Sequence, residues 1–183
     1  EDLNNIPIGY YNVIATDQNG CVETIDIEIT EPTILEITET VSDYNGYGVS
    51  CNGSNDGFIQ IEPNGGYGEY SFEWSNSETS QNISNLTAGN YSVVLTDENG
   101  CTDTIDIEIT EPPQMTISTS ISDYTGYEIS CNGENDGFID LTVNGGTGLY
   151  TYNWSNGATT QDLDGLGVGT YSVVVADENG CEV

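Results

Sequence analysis

The chain has 183 residues, of which 31 are Asp or Glu and none is Lys, Arg or His, so its formal net charge is −31. Without basic side chains it cannot form side-chain salt bridges, and nucleic acid and anionic membrane surfaces are disfavoured partners. The missing His and Lys also remove the commonest general bases and every Ser/His or Cys/His nucleophile pair, so we expect that the protein is not an enzyme.

No run of apolar residues approaches the roughly 18 to 20 that a membrane span needs, so we expect no direct membrane insertion. The chain repeats itself at an offset of 80 residues: CVETIDIEITEP at 21–32 corresponds to CTDTIDIEITEP at 101–112, and SCNGSNDGF at 50–58 to SCNGENDGF at 130–138. DENGC occurs at 97–101 and 177–181, and as DQNGC at 17–21.

This repetition divides the chain into three parts. Residues 1–32 are the C-terminal part of a repeat, residues 33–112 are a complete repeat, and residues 113–183 are a repeat that lacks its last strand. We call the second and third parts unit 1 and unit 2.

Alternation of apolar and polar residues predicts the strands of unit 1 at 34–41, 57–62, 70–75, about 81–86, 90–97 and 101–110. In the last of these, Ile105, Ile107 and Ile109 alternate with acidic residues, which is typical of a half-buried strand. Gly, Asn, Pro and Ser separate the strands. Short strands joined by sequential hairpins predict an all-β fold of tandem immunoglobulin-like (PKD-like) β-sandwich repeats.

Two aromatic pairs lie on one face of equivalent strands. Phe72 and Trp74 in unit 1 correspond to Tyr152 and Trp154 in unit 2. We expect these rings in the core, because a small domain needs its large aromatic side chains for burial. The alternative is an exposed platform on which carbohydrate rings stack.

Taken together, SCNGSNDGF, NGGYGEYSFEWSN, NLTAGNYSVVLTDENGC and IEITEP resemble the SprB-type repeats of very large surface adhesins of gliding and related Bacteroidetes bacteria. The resemblance covers essentially the whole chain. It implies a secreted protein of tandem β-sandwich repeats on the bacterial cell surface, with a role in adhesion or gliding motility.

Two cysteines in each unit predict disulfides, since there is no CxxC motif and no His for a zinc site. Pairing within units joins Cys51 to Cys101 and Cys131 to Cys181, as small domains often staple themselves, and leaves Cys21 to pair with a residue before Glu1. Pairing between units joins Cys51 to Cys181, which an immunoglobulin-like topology favours because it separates Cys51 from the last hairpin of its own unit. Both pairings stay open.

Acidic and amide side chains concentrate where the units are expected to meet, which predicts a calcium site. The candidate ligands are Asn52, Asp56, Asp97, Asp136 and Asp177. NGSNDGFI at 52–59 is similar to the first half of a calcium loop, but Pro63 stands where the second half needs a bidentate Glu. The alternative is that these residues only form turns.

Two functions follow from these observations. In the first, the units are segments of a stalk or filament, and their partners are the neighbouring repeats of the same chain. In the second, each unit binds a surface or glycan ligand through loops 64–69 and 76–80, with Tyr67, Glu69 and Asn76 facing the ligand. The near-identity of the units favours the stalk.

Overall fold

A computed structural model describes residues 3–183, and all the secondary-structure elements in that range are β-strands. The first strands are β1 (Gly9–Thr16), β2 (Val22–Ile29), β3 (Glu36–Val41), β4 (Gly57–Asn64), β5 (Ser71–Trp74), β6 (Ile83–Leu86) and β7 (Gly89–Thr96). The others are β8 (Thr102–Ile109), β9 (Thr116–Ile121), β10 (Gly137–Asn144), β11 (Thr151–Trp154), β12 (Leu163–Leu166) and β13 (Val173–Ala176). The all-β prediction is confirmed, and within the described range no helix has the length and apolar character to cross a membrane.

Unit 1 consists of two antiparallel three-stranded sheets, with strand orders β3-β4-β6 and β5-β7-β8. Its core lies between them, because the inward residues of both sheets form one buried cluster. Ile59 and Ile61 of β4 face Val93 of β7 and Ile107 and Ile109 of β8 in this cluster. The period-2 alternation in the sequence thus becomes a β-sandwich with an acidic outer face. The immunoglobulin-like character of the topology stays a prediction.

Unit 2 repeats this arrangement with one strand fewer. Its sheets have the orders β12-β10-β9 and β11-β13, and its core contains Leu141, Trp154 and Val175. Only the beginning of a further strand is present, since the N–H groups and carbonyls of Val175 and Val183 exchange hydrogen bonds of 2.9 and 3.0 Å. A groove of about 380 Å³, which we call the open groove, is lined by the end of β9, the start of β10 and residues 166–171, which precede β13.

The hairpin β1–β2 copies β7–β8 without a sandwich around it. The register Gly9 to Ile29 in the first pair is the register Gly89 to Ile109 in the second. Within residues 3–183 no core covers β2, so Ile27 is 41% exposed, whereas its copy Ile107 is 6% exposed.

Both tryptophans are core residues, as the sequence predicts. Trp74 and Trp154 are buried, and the indole N–H of each donates to a backbone carbonyl, that of Ser80 or Thr160, at 2.8 Å. Phe72 and Tyr152 are half-buried beside them. The stacking-platform alternative is therefore wrong for the tryptophans, because their faces are not open to a ligand.

The two units should respond differently to the same core substitution. We expect Ile59→Ala to lower the free energy of unfolding of unit 1 by about 2 to 5 kcal/mol, because Ile59 is fully buried. Ile139→Ala, its copy, should cost less, because Ile139 lines the open groove. Denaturant unfolding followed by the fluorescence of the single tryptophan in each unit, after Trp154→Phe or Trp74→Phe, measures the two effects. Equal losses would contradict the expectation.

Candidate functional site: the junction between unit 1 and unit 2

A disulfide joins the two units. Cys51 and Cys181 have an S–S distance of 2.05 Å and a Cα–Cα distance of 5.7 Å, and they lie 130 residues apart in sequence. The structure thus contains the pairing between units. The pairing within units, Cys51 with Cys101 and Cys131 with Cys181, is wrong for this structure, because Cys51 is bonded to Cys181 and Cys101 and Cys131 are left as free thiols. Cys21, Cys101 and Cys131 are exposed thiols.

Asn179, in the last hairpin of unit 2, holds the junction together beside the disulfide. Its side-chain amide donates to the carbonyls of Ser50 at 3.0 Å and Tyr44 at 3.3 Å in unit 1. Asn45 of unit 1 donates to the Asn179 side-chain oxygen at 2.7 Å. Sequence reasoning missed this role. The available signal was that Asn occupies the same turn position in all three copies of the motif, at 19, 99 and 179.

The turn that follows Cys51 is tied to the linker between the units. The side-chain amide of Asn52 donates to the carbonyl of Pro112 at 3.1 Å, and the N–H of Gly53 donates to the carboxylate of Glu111 at 2.6 Å. Asn52, a predicted calcium ligand, therefore uses its amide to fix where the chain leaves unit 1. The linker, the Cys51 turn and the hairpin of unit 2 meet at one place.

Asp97 organises the hairpin of unit 1 from the inside. It is 4% exposed, and its Oδ1 accepts the N–H groups of Asn99 at 3.0 Å and Cys101 at 2.8 Å, while Oδ2 accepts the N–H of Tyr67 at 3.0 Å. Burial raises the pKa of this carboxyl, but these hydrogen bonds outweigh it and hold the pKa below the ordinary 3.8. The carboxylate thus joins the hairpin to the loop that carries Gly65 and Gly66.

The glycine pair makes this approach possible. Gly66 has a φ of 66°, and a Cβ there would press against the Asp97 carboxylate and the side chain of Leu35. Unit 2 has the same contact, since Oδ2 of Asp177 accepts from the N–H of Thr147 at 2.8 Å and from its hydroxyl at 3.1 Å. Because Gly-Gly and Asp are 30 or more positions apart in sequence, the motif alone did not reveal their contact.

Asp56 and Asp136 cap the loop that carries the first cysteine of each unit. Their Oδ1 atoms accept the N–H groups of Ser50 and Ser130 at 3.1 Å. The pKa of Asp56 is lowered, because hydrogen bonds from Ser50 outweigh the effect of burial. The pKa of Asp136 is lowered chiefly by a short hydrogen bond from the Ser130 hydroxyl.

The structure does not bring the five predicted calcium ligands together. Within residues 3–183, no group of three or more acidic or cysteine side chains is placed to hold a metal ion. Each of the four carboxylates instead accepts backbone N–H groups within its own unit. Calcium binding stays a prediction. The hydrogen bonds show these carboxylates stabilising turns.

We expect the disulfide to be the largest single stabilising element of the junction. In the chain-entropy model, a link between residues 130 apart contributes about 5 kcal/mol. Replacing Cys51 and Cys181 together by Ser should lower the thermal midpoint, and reductant should then have no further effect. The matched control replaces Cys101 and Cys131 by Ser and should unfold like the original chain in dilute solution. An unchanged midpoint in the first variant would contradict this role.

Asp97→Asn should lower the thermal midpoint by several degrees near neutral pH, because an amide has one acceptor oxygen for three N–H groups. The folded-state pKa of Asp97 lies below 3.8, so its ionised form stabilises the fold above about pH 4 and this contribution is lost as the pH falls through the lowered pKa. The difference in thermal midpoint between the variant and the original chain should therefore disappear in acid.

Thermal unfolding followed by circular dichroism from about pH 7 to about pH 2 measures this difference in thermal midpoint. Asp106→Asn is the control, since Asp106 lies exposed on the outer face of β8 and should give a small, uniform effect. A gap between Asp97→Asn and the original chain that is independent of pH would contradict the role of the ionised carboxylate.

The comparison with protein families matches the repeated core of each unit. The SprB repeat model matches residues 48–79 and 128–159, which run from the Cys51 or Cys131 turn to the turn after the buried tryptophan. No curated protein matches the chain significantly. The family suggests a role in large cell-surface proteins, and the disulfide agrees with an extracellular location. Two stretches of the chain therefore match the SprB repeat, the family that its sequence motifs resemble.

Proposed function

We propose that this chain is a structural segment of a stalk or filament in a secreted, highly acidic adhesin of the bacterial cell surface, which serves adhesion or gliding motility. The disulfide between the units is the observation that carries the proposal. A bond within one sandwich would stabilise that sandwich alone, whereas Cys51–Cys181 fixes two successive units to each other. Such a link is what a protein that transmits force along an array of domains needs.

The path of a pulling force supports this function. When the chain is pulled from its two ends, the force passes from the residues before Cys51 through the disulfide to the residues after Cys181. Most of unit 1 and all of the strands of unit 2 lie in the closed loop between the two cysteines and are shielded from extension. The covalent bond therefore protects the cores that hydrogen bonds and apolar contacts hold together.

The charge of the chain supports an extended, exposed role. A net charge of −31 on 183 residues makes neighbouring units repel each other, which opposes collapse of the array and keeps it soluble. In the same proposal the chain has no enzymatic activity, and its first partners are neighbouring repeats. Divalent cations would relieve this repulsion and rigidify the array.

One observation favours the alternative, in which each unit binds a surface or glycan ligand. Loop 64–69 leaves Tyr67 and Glu69 exposed, and unit 2 has Thr147 and Leu149 at these positions. Asn76 is also exposed. Leu149 is exposed as well, whereas Thr147 is buried, and loop residues that differ between the units are where binding specificity would arise.

Force spectroscopy on the single chain, held by its ends, tests the stalk. With the disulfide intact, the 130-residue loop should stay closed, and adding a reductant should release roughly 450 Å of further extension, at about 3.5 Å per residue. The variant with Ser at positions 51 and 181 should extend fully without reductant. If the original chain releases its full length at low force without reductant, the disulfide does not carry the load and the proposal fails.

A glycan array tests the alternative. Binding by the original chain that Tyr67→Ala abolishes, while Asp106→Asn on the outer face of β8 leaves it intact, would establish a binding module. The stalk proposal expects no glycan-specific signal from either protein.

A further inference from the structure

The asparagine that holds the junction beside the disulfide is followed by glycine. Asn179 and Gly180 lie at the tip of the last hairpin of unit 2, where Gly180 is exposed and Asn179 is half-buried against unit 1. Asparagine loses its side-chain amide most readily before glycine, because glycine has no Cβ to shield its backbone nitrogen. The junction between the units is thus built on a chemically labile side chain.

The contacts of Asn179 require an amide. Its nitrogen donates to the carbonyls of Ser50 at 3.0 Å and Tyr44 at 3.3 Å, and its oxygen accepts from the side chain of Asn45 at 2.7 Å. Backbone carbonyls only accept hydrogen bonds, so the group that faces them has to be a donor. A carboxylate in this place would lose both donated bonds and turn a negative charge toward two carbonyl oxygens. The chain has no basic side chain that would neutralise this charge.

We propose that Asn179 is a deamidation site that the closed junction protects. When reduction of Cys51–Cys181 lets the junction open, Asn179 is converted to aspartate or isoaspartate, and the junction then no longer closes as before. Deamidation makes a reversible opening permanent. The proposal concerns the junction alone and does not depend on the stalk function.

The reaction consumes only water. The backbone nitrogen of Gly180 attacks Cγ of Asn179, a new C–N bond forms, and the bond between Cγ and Nδ2 breaks. The proton of the attacking nitrogen leaves with the amide group as ammonia, and a five-membered succinimide ring remains. Water then opens the ring at one of its two carbonyl carbons. One site of attack gives aspartate and the other gives isoaspartate, each of which ionises to a carboxylate.

The closed junction opposes ring closure at the side chain. The Asn179 side chain has to rotate onto its own backbone to react, and its bonds to unit 1 hold it against the carbonyls of Ser50 and Tyr44. The N–H of Gly180 donates to the carbonyl of Asp177 at 3.1 Å, but this bond belongs to the hairpin and persists when the units separate. The rate of deamidation should therefore follow the population of open junctions.

The disulfide keeps this protection in place. Cys181 follows Asn179 by two residues in the same hairpin, and its partner Cys51 follows Ser50, whose carbonyl accepts from Asn179. The covalent bond thus holds the amide opposite its acceptor. Both cysteines are partly exposed, so a small thiol reductant has access to the bond. After reduction the hairpin is held by noncovalent contacts alone, and the population of open junctions rises.

Unit 2 supplies an internal reference for the chemistry. Asn156 and Gly157 form an exposed Asn-Gly pair in the turn after the buried Trp154. The Asn156 side-chain oxygen accepts from the N–H of Ala158 at 3.1 Å, and the N–H of Gly157 donates to the carbonyl of Trp154 at 2.9 Å. These bonds lie within the turn itself, so deamidation at Asn156 should not depend on the state of the junction.

Peptide mass spectrometry of the 183-residue chain, aged in mildly alkaline buffer, tests the protection. In the double variant Cys51→Ser/Cys181→Ser, Asn179 should deamidate about tenfold faster than in the original chain, while the rate at Asn156 stays the same. The original chain kept in a thiol reductant should show the same acceleration, which makes the result independent of how the variant folds. Equal rates at Asn179 with the disulfide closed and reduced would overturn the proposal.

A second experiment tests the consequence for the junction. In a glutathione redox buffer, Asn179→Asp should lower the equilibrium constant for closing Cys51–Cys181 by about tenfold, because two donated hydrogen bonds are lost. The other three cysteines are replaced by Ser in every protein, so that one pair of thiols is measured. Asn156→Asp is the matched control, since it adds the same charge and keeps the oxygen that Ala158 binds. If Asn179→Asp closes the disulfide as readily as this control, deamidation does not prevent reclosure and the proposal fails.

Discussion

A chain without a single basic side chain has to satisfy its buried carboxylates with something other than ion pairs, and the rest of this structure depends on how it does so. Asp97 and Asp177 are buried with their charge directed at backbone N–H groups. A buried carboxylate without a partner would be costly, and partial charges on well-aligned amides are the available substitute. Since those amides belong to a hairpin and to a distant Gly-Gly loop, satisfying the charge also fixes the end of each sandwich.

The same hairpin has an outer side, and this side makes the junction. Asp177 faces the interior of unit 2, while Asn179 and Cys181, two and four residues later, face unit 1. A rigid hairpin is needed for this, because the amide of Asn179 must reach two carbonyls and the sulfur must reach Cys51 at the same time. The internal carboxylate therefore prepares the geometry on which the disulfide between units relies.

The sequence predicted the strands within about two residues, because alternation of apolar and acidic residues is a local property that burial on one face imposes. It also placed Trp74 and Trp154 in the core. It could not choose the partner of Cys51, since two pairings satisfied every local rule and only the arrangement of successive units distinguishes them. The role of Asp97 was missed for a similar reason: an acid in a turn has the same local pattern whether it binds calcium or the N–H of Tyr67, 30 residues earlier.

The disulfide also shows that the repeat in the sequence and the mechanical unit differ. The repeat has a period of 80 residues, but the covalent loop spans 130, so a second loop that begins at the next copy of Cys51, Cys131, would start before the first loop ends at Cys181. Loops of this length at this period overlap. In an array where every junction carries the bond, each backbone position lies inside at least one closed loop, and a single cut would leave the array connected. If the bond closed inside each sandwich, the linkers would lie outside every disulfide-closed loop, and one cut in a linker would separate the array. Pairing between units therefore suits an extended chain.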